Sequence, residues 1–396
     1  MNKKLSLETM MMHLGENRKE YSGAVVPPIY QNSLFTFESW EAIDEAFDNP
    51  QVNNIYTRGN NPSVTMVEAK IAAMAGGEKA KLFASGMGAI SSSILHCIKA
   101  GDHVITINNV YGPTAHLLNV HLKEKSNIET TFLSGRSVEE FEGAIKENTS
   151  LIFLETPSSA VFSLQDIRAI CDLAKKHNIK VIVDNTWATP IFQKPLELGA
   201  DLEVHSCSKY IGGHSDIVSG VVIGSKSDIE EIFMNEHALY GAKMAPFEAW
   251  LLMRSLRTMT IRMKQHERSA MEVAKFLEDH NKVKSVMYPG LDSFPQKELA
   301  AKQMTGFSGV MGFEIDTDNL QEMKDFLNTL ELFSIGVSWG GHESLAYVTA
   351  ISYLKEMTEA RFKETGLSLG TVRISVGLED SVDLINDLDN ALKCIK

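Results

Sequence analysis

Leu202-Glu203-Val204-His205-Ser206-Cys207-Ser208-Lys209-Tyr210-Ile211-Gly212-Gly213-His214 runs a short strand into a lysine and then into paired glycines. Two hydroxyls, Ser206 and Ser208, stand on alternate residues just before that lysine. Isolated lysines are mostly solvated turn residues. A lysine at a strand's end in a partly apolar site has a depressed pKa and can form a Schiff base with an aldehyde. The two serines are then placed to donate to a phosphate.

Working outward, the same grammar recurs. Val181-Ile182-Val183 is an apolar run that ends in Asp184. It sets the carboxylate at the strand's carboxyl end, where open α/β sheets bind their ligands. A carboxylate there suits the ring nitrogen of a pyridine cofactor, although a turn aspartate has the same local look. His103–Ile107, Leu151–Leu154, Val218–Ile223 and Lys81–Phe83 read as further strands, and the segment through Ile167, Ile170 and Ala174 reads as a helix between two of them. Apolar strands alternating with helical segments predict an α/β fold with a large, mostly parallel sheet covered by helices. Ser85-Gly86-Met87-Gly88-Ala89 lies between a strand and a helix, and exposes backbone N–H groups suited to a phosphate. Tyr111 follows the strand at 103–107 and offers a ring to stack on a cofactor and a hydroxyl to act as acid or base.

The expected organisation is an extended N-terminal arm over 1–60, a cofactor-binding domain over 61–250 and a smaller α/β domain over 251–396. Val25-Val26-Pro27-Pro28 must be extended, and is expected to pack on a neighbouring subunit. A long helix is predicted from Phe247 through Leu256 toward His280, with later strands near Val310–Ile315 and Val372–Val376.

The chain has 396 residues and a net charge of -13. An acidic surface argues against nucleic acid and anionic membranes as main partners. The four cysteines, Cys97, Cys171, Cys207 and Cys394, form no C-x-x-C pair, as expected of reduced thiols in a cytoplasm. Lys3 and Lys4 are followed by no apolar signal core, and no stretch is long enough to span a bilayer. His205, Cys207 and His214 do not have a recognised zinc spacing, so no metal site is expected.

Taken together, these segments resemble the Cys/Met-metabolism family of pyridoxal 5'-phosphate (PLP) enzymes. The resemblance runs in order through Gly23–Tyr30, Tyr56–Ser63, Ser85–Met87, Asp184–Pro190, Ser206–Asp216 and Val372–Asp380. It implies PLP fold type I, the aspartate-aminotransferase-like architecture, and a homotetramer built from two active dimers. It implies that Lys209 carries PLP, that Asp184 pairs with the pyridinium and that Tyr111 stacks on the ring. Gly86, Met87, Ser206 and Ser208 are expected to hold the phosphate, with Tyr56 and Arg58 reaching it from the neighbouring subunit. Arg373 is expected to grip the substrate carboxylate, with Ser338, Trp339 and Ser159 beside it.

Within the family, Val337-Ser338-Trp339-Gly340-Gly341, Ser159 and Pro113 resemble the cystathionine β-lyase form. Val337 separates the chain from members with a glutamate there, but fits methionine γ-lyase equally. His342 and Gly112 depart from the best-known β-lyases. The resulting expectation is a carbon–sulfur lyase that cleaves L-cystathionine by β-elimination to a thiol, pyruvate and ammonia. In it Lys209 removes the Cα proton, and either Tyr111 or Lys209 protonates the leaving sulfur. Methionine γ-lyase, cystathionine γ-synthase and cystathionine γ-lyase activities are the alternatives. A PLP-binding regulator is a further one, which the acidic balance disfavours.

Overall fold

The computed structural model describes residues 5–356, 362 and 366–396. Residues 357–361 and 363–365, within the expected C-terminal domain, lie outside the described residues.

Seven strands build the larger sheet: β1 (Lys79–Phe83), β2 (His103–Ile107), β3 (Glu129–Leu133), β4 (Thr149–Glu155), β5 (Lys180–Asp184), β6 (Leu202–Ser206) and β7 (Gly220–Gly224). Their order is β1-β7-β6-β5-β4-β2-β3. Neighbours from β3 to β6 are parallel, while β7 is antiparallel to both β6 and β1. The mostly parallel sheet is therefore present with one strand reversed. The reversal follows from the connection over 207–219, which holds no helix and so cannot make the crossover that a parallel neighbour requires. The strands β2, β5 and β7 are buried along almost their whole length and read as largely apolar runs, whereas β6, equally buried, alternates because Glu203 and His205 pair with each other inside. β3, a half-exposed edge strand with two threonines, has no such run and was not among the expected strands.

Five strands make the second sheet: β8 (Val283–Met287), β9 (Val310–Ile315), β10 (Ser334–Ile335), β11 (Leu345–Val348) and β12 (Thr371–Ser375), ordered β10-β11-β12-β9-β8. All its pairs are antiparallel except β10 with β11. The two sheets with their covering helices constitute the fold-type-I arrangement.

The helices begin and end where local chemistry directs. Asn61 caps the helix Pro62–Ala75, with proline at its first position and Gly76 in the left-handed conformation after it. Ser85 caps the helix Gly86–Cys97 through Gly88 N. The long helix expected after Pro246 is instead two, Pro246–Leu256 and Met259–Asp279. The Ser255 carbonyl accepts from Thr258 N and from Arg262 Nη2, which tightens the chain into a turn between them. That turn lets Arg262 donate to the carbonyl of Tyr210, next to Lys209, at 2.8 Å.

The first 60 residues hold more structure than expected, with helices at Leu7–His13 and Trp40–Asp48. Met11 is buried against the main core, while Val25, Trp40, Phe47 and Val52 are left exposed. Among the described residues no helix is long and apolar enough to cross a membrane.

Candidate active site

The carboxyl ends of β4, β5 and β6 open into a cavity of about 600 Å³, closed on its other side by residues 337–339 and by Arg373 of β12. A larger cleft of about 800 Å³ lies nearby at the ends of β2 and β3, but it includes neither Lys209 nor Asp184. The residues predicted from the sequence therefore gather at the smaller cavity. Lys209, Asp184, Tyr111, Gly86, Met87, Ser206, Ser208, Ser159, Ser338, Trp339 and Arg373 all line it. Tyr56 and Arg58 do not; both side chains are exposed at the surface.

Lys209 follows β6 in a turn closed by its N–H on the Ser206 carbonyl. Its Nζ donates to Ser338 Oγ at 2.6 Å and lies 5.6 Å from the centroid of the Trp339 ring. Burial pushes the Lys209 ammonium below its ordinary pKa, the Arg373 charge adds to this, and Asp184 opposes it. Trp339 rests against the buried ring of Tyr210, with centroids 5.6 Å apart. Gly340 makes this docking possible. It adopts φ +84°, and a Cβ there would come within 2.9 Å of Tyr210 N.

Asp184 ends β5 almost fully buried. Its Oδ1 accepts from the backbone N–H and the hydroxyl of Thr186. No lysine or arginine pairs with it among the described residues, and its Oδ2 has no protein donor there. Burial pushes its pKa upward. A desolvated carboxylate with one oxygen facing an open cavity lacks a cation, and a pyridinium N–H would supply it.

Beside it stands a group that sequence reasoning missed. Glu155 ends β4 and lies directly across from Asp184 in the strand register. Glu155 Oε2 accepts from Tyr111 N at 2.6 Å, and Oε1 accepts from Ser159 Oγ at 2.6 Å. Burial first and the Asp184 charge second push Glu155 up to about 8. The signal was present: Leu151–Leu154 ends in a carboxylate just as Val181–Val183 does. Their adjacency depends on strand pairing, which the sequence does not display.

The phosphate end of the cavity is narrow. A Cβ on Gly86 would lie 2.9 Å from Ser206 Cβ, so only glycine lets the start of the helix approach β6 this closely. The first-turn N–H groups of Gly86 and Met87 have no intrahelical acceptors. They face the same space as Ser206, which suits an anion. Ser208 is less free, since its Oγ accepts from Ser219 N and donates to the Ser219 carbonyl. Arg373 donates through Nη2 to the carbonyls of Val337 and Ser338, and its Cζ lies 5.3 Å from the Tyr347 ring centroid. The residues present thus fit a phosphorylated pyridine aldehyde: an amine, a carboxylate with no lysine or arginine partner among the described residues, a ring-bearing tyrosine and an anion cradle.

His205, Cys207 and His214 have other engagements. His205 Nε2 lies 2.7 Å from Glu203 Oε1, Cys207 is buried, and the His214 ring is within 2.7 Å of the Gly212 carbonyl.

The family model for Cys/Met metabolism PLP-dependent enzymes matches residues 8–393. An L-methionine gamma-lyase of Porphyromonas gingivalis is 43% identical over 93% of each chain. An L-methionine gamma-lyase of Fusobacterium nucleatum subsp. polymorphum is 42% identical over 99% of each chain. A cystathionine beta-lyase of Coxiella burnetii is 36% identical, again over 99% of each chain. The leaning toward the β-lyase form therefore rests on a few site positions, while the chain as a whole is more similar to the γ-lyases.

Proposed function

The chain belongs to the Cys/Met-metabolism family of PLP-dependent enzymes and is a PLP-dependent carbon–sulfur lyase. From that premise we propose that it cleaves an L-methionine-type thioether by γ-elimination. L-methionine and water would become methanethiol, 2-oxobutyrate and ammonia. The observation that carries this reading is the near full-length similarity to two L-methionine γ-lyases. The cavity mouth agrees with it. Val337 is 74% exposed there, where a carboxylate would be needed to receive a second, distal ammonium. Glu343, which also lines the cavity, has its Oε1 engaged by Ser215 and its Oε2 3.2 Å from the His342 ring nitrogen.

When bound, PLP supplies an aldehyde for the amino group and a protonated ring that takes up the charge left on Cα. Asp184 Oδ2 is the acceptor for the ring N–H. Gly86, Met87, Ser206 and, after a rotation away from Ser219, Ser208 hold the phosphate. Lys209 would hold the aldehyde carbon, and its amine would be the base. Burial and Arg373 favour its free amine, and Ser338 Oγ anchors it at the floor of the cavity. γ-Elimination requires proton removal at Cα and then at Cβ, and a flexible four-carbon arm reaches both. Tyr111 is the proton donor to the leaving thiolate: burial, Glu155 and Asp184 push its phenol upward, so it enters the reaction protonated. Arg373 grips the carboxylate with a guanidinium that stays charged at any physiological pH. Tyr56 and Arg58 complete the phosphate site of a neighbouring copy in a homotetramer of active dimers. The exposed Val25, Trp40, Phe47 and Val52 favour such a covered face.

A second reading, β-elimination of L-cystathionine to homocysteine, pyruvate and ammonia, is favoured by Trp339 and Ser159 at the site. The test is identification of the keto acid by mass spectrometry from PLP-loaded enzyme given each substrate separately. 2-Oxobutyrate from L-methionine supports the proposal. Pyruvate from L-cystathionine with L-methionine left intact overturns it in favour of the second reading.

A further inference from the structure

Tyr56 and Arg58 sit on a loop that is held from within and faces outward. Tyr56 and Arg58 are exposed, whereas Thr57, Asn60 and Asn61 are buried. Thr57 Oγ1 donates to the Asn32 carbonyl at 2.6 Å, and Asn61 Nδ2 donates to the Tyr30 carbonyl at 2.8 Å. These bonds fix the two ends of the loop. Its middle is fixed by a lysine of a different element. Lys81, on β1, is 3% exposed. Its Nζ donates to the Gly59 carbonyl at 3.1 Å and to Asn60 Oδ1 at 3.0 Å. It also pairs with Glu68 Oε1 at 3.3 Å and lies 4.7 Å from the Phe233 ring centroid. Asn60 in turn donates to the carbonyls of Pro50 and Asn53. The three donors of the ammonium are thus all assigned, two of them to consecutive residues of one loop.

Burial lowers the Lys81 pKa and Glu68 raises it again, so this charge is expensive to keep here. A buried ion pair is weak evidence for stability, because well-packed apolar residues often do as well. What an apolar side chain cannot supply is directional donors to Gly59 and Asn60. Outside the knot, the Arg58 guanidinium lies 5.7 Å from the Tyr56 ring centroid and has no acid partner among the described residues. Two side chains that find no ligand in their own subunit are held at a fixed angle by a charge that would otherwise be a burden.

We propose that Lys81 is a positioning residue that clamps Gly59 and Asn60 so that Tyr56 and Arg58 are presented, pre-organised, to the cofactor phosphate of the neighbouring copy. This rests on the reading of Tyr56 and Arg58 given above. Lys81 touches neither cofactor nor substrate; it acts by removing loop disorder that phosphate binding would otherwise have to overcome.

The experiment is a double-mutant cycle on PLP affinity, measured by fluorescence titration of apo-protein, using Lys81→Met, Arg58→Ala and the double variant. Thermal melts and native mass confirm that each variant is folded and assembled as the parent is. Lys81→Met is expected to weaken PLP binding about tenfold, about 1.4 kcal/mol, and to have a clearly smaller effect in the Arg58→Ala background, where Tyr56 alone is left to be presented. If Lys81→Met does not fold, Asn60→Ala removes one acceptor of the clamp and is expected to show a smaller loss, again reduced in the Arg58→Ala background. Parental affinity in Lys81→Met, or strictly additive losses, overturns the clamp and leaves the phosphate role of Arg58 standing. Parental affinity in Arg58→Ala overturns that role, and the clamp with it.

Discussion

Replacing Arg373 by lysine keeps the charge and removes the fork, so it isolates what the guanidinium geometry does. Arg373 sits on β12, the central strand of the second sheet, between Tyr347 and Gly312 in register. Its Nη2 donates to the Val337 and Ser338 carbonyls, and the remaining N–H groups of the guanidinium are left for a substrate carboxylate. An ammonium at this position is a point donor without the planar fork, so it cannot form two parallel bonds to the carboxylate. Losing one charge-assisted hydrogen bond costs about 1.5–3 kcal/mol, or roughly 10- to 150-fold in kcat/KM. The carboxylate does not change during the reaction, so the loss is uniform binding and belongs in KM, with kcat within a few-fold of the parent. The assay is steady-state formation of 2-oxobutyrate from L-methionine by enzyme whose visible absorbance shows full PLP occupancy. A kcat/KM within about threefold of the parent, or a loss carried wholly by kcat, refutes the carboxylate role.

Lys209→Ala is expected to abolish turnover while the phosphate cradle still binds PLP. Activity near that of the parent, checked by keto-acid release, would show that another amine is the base. Tyr111→Phe is expected to slow cleavage by about 10²–10⁴-fold for substrates with a weakly acidic leaving thiol, and by much less when the leaving thiol is strongly acidic. Equal losses across a leaving-group series measured by kcat would remove the phenol from that step. Glu155 has its carboxyl pushed up to about 8 in the fold from an ordinary 4.5. A raised carboxyl contributes stability below the unfolded value and loses it as pH climbs toward the folded one. Apo-enzyme is therefore expected to lose stability between about pH 4.5 and 8 more steeply than Glu155→Gln does. Parallel melting curves for the two across that range would contradict the assignment.

How much of this was legible depended on whether a residue's role is local. The run Val181–Asp184 announces both a buried strand and the carboxylate at its end, because a central parallel strand is apolar throughout and stops where the ligand begins. The hydroxyl–lysine–glycine order after β6 is likewise a local arrangement. Edge strands are different. β3 pairs on one side only and is partly exposed, so its threonines obey no strict period. The break at residues 257–258 depends on Arg262 capturing the Ser255 carbonyl, a contact that helical periodicity does not encode. Glu155 was visible as a residue and invisible as a neighbour of Asp184, since pairing of β4 with β5 decides that. The free hydroxyl of Ser206 and the tethered one of Ser208 look the same in sequence, and differ only because β7 returns antiparallel and brings Ser219 beside the second.

The same division explains why the reaction was harder to read than the cofactor. Cofactor chemistry requires groups at strand ends, and strand ends are written in order along the chain. The positions read for β or γ preference lie instead on the cavity's far wall, formed by a loop of the second sheet that carries Val337, Ser338 and Trp339. These residues reach Lys209 only because Gly340 lets the loop lie against Tyr210. The loop also holds its neighbours in place: Ser338 binds Lys209, Trp339 packs on Tyr210, and the Val337 backbone carbonyl anchors Arg373. A tryptophan in that wall is thus as much a support for the catalytic lysine's neighbour as a substrate contact. Its presence is weak evidence for a particular thioether. Overall similarity integrates over the whole wall and its supports, and for that reason the proposal of γ-elimination rests on it rather than on the few site positions.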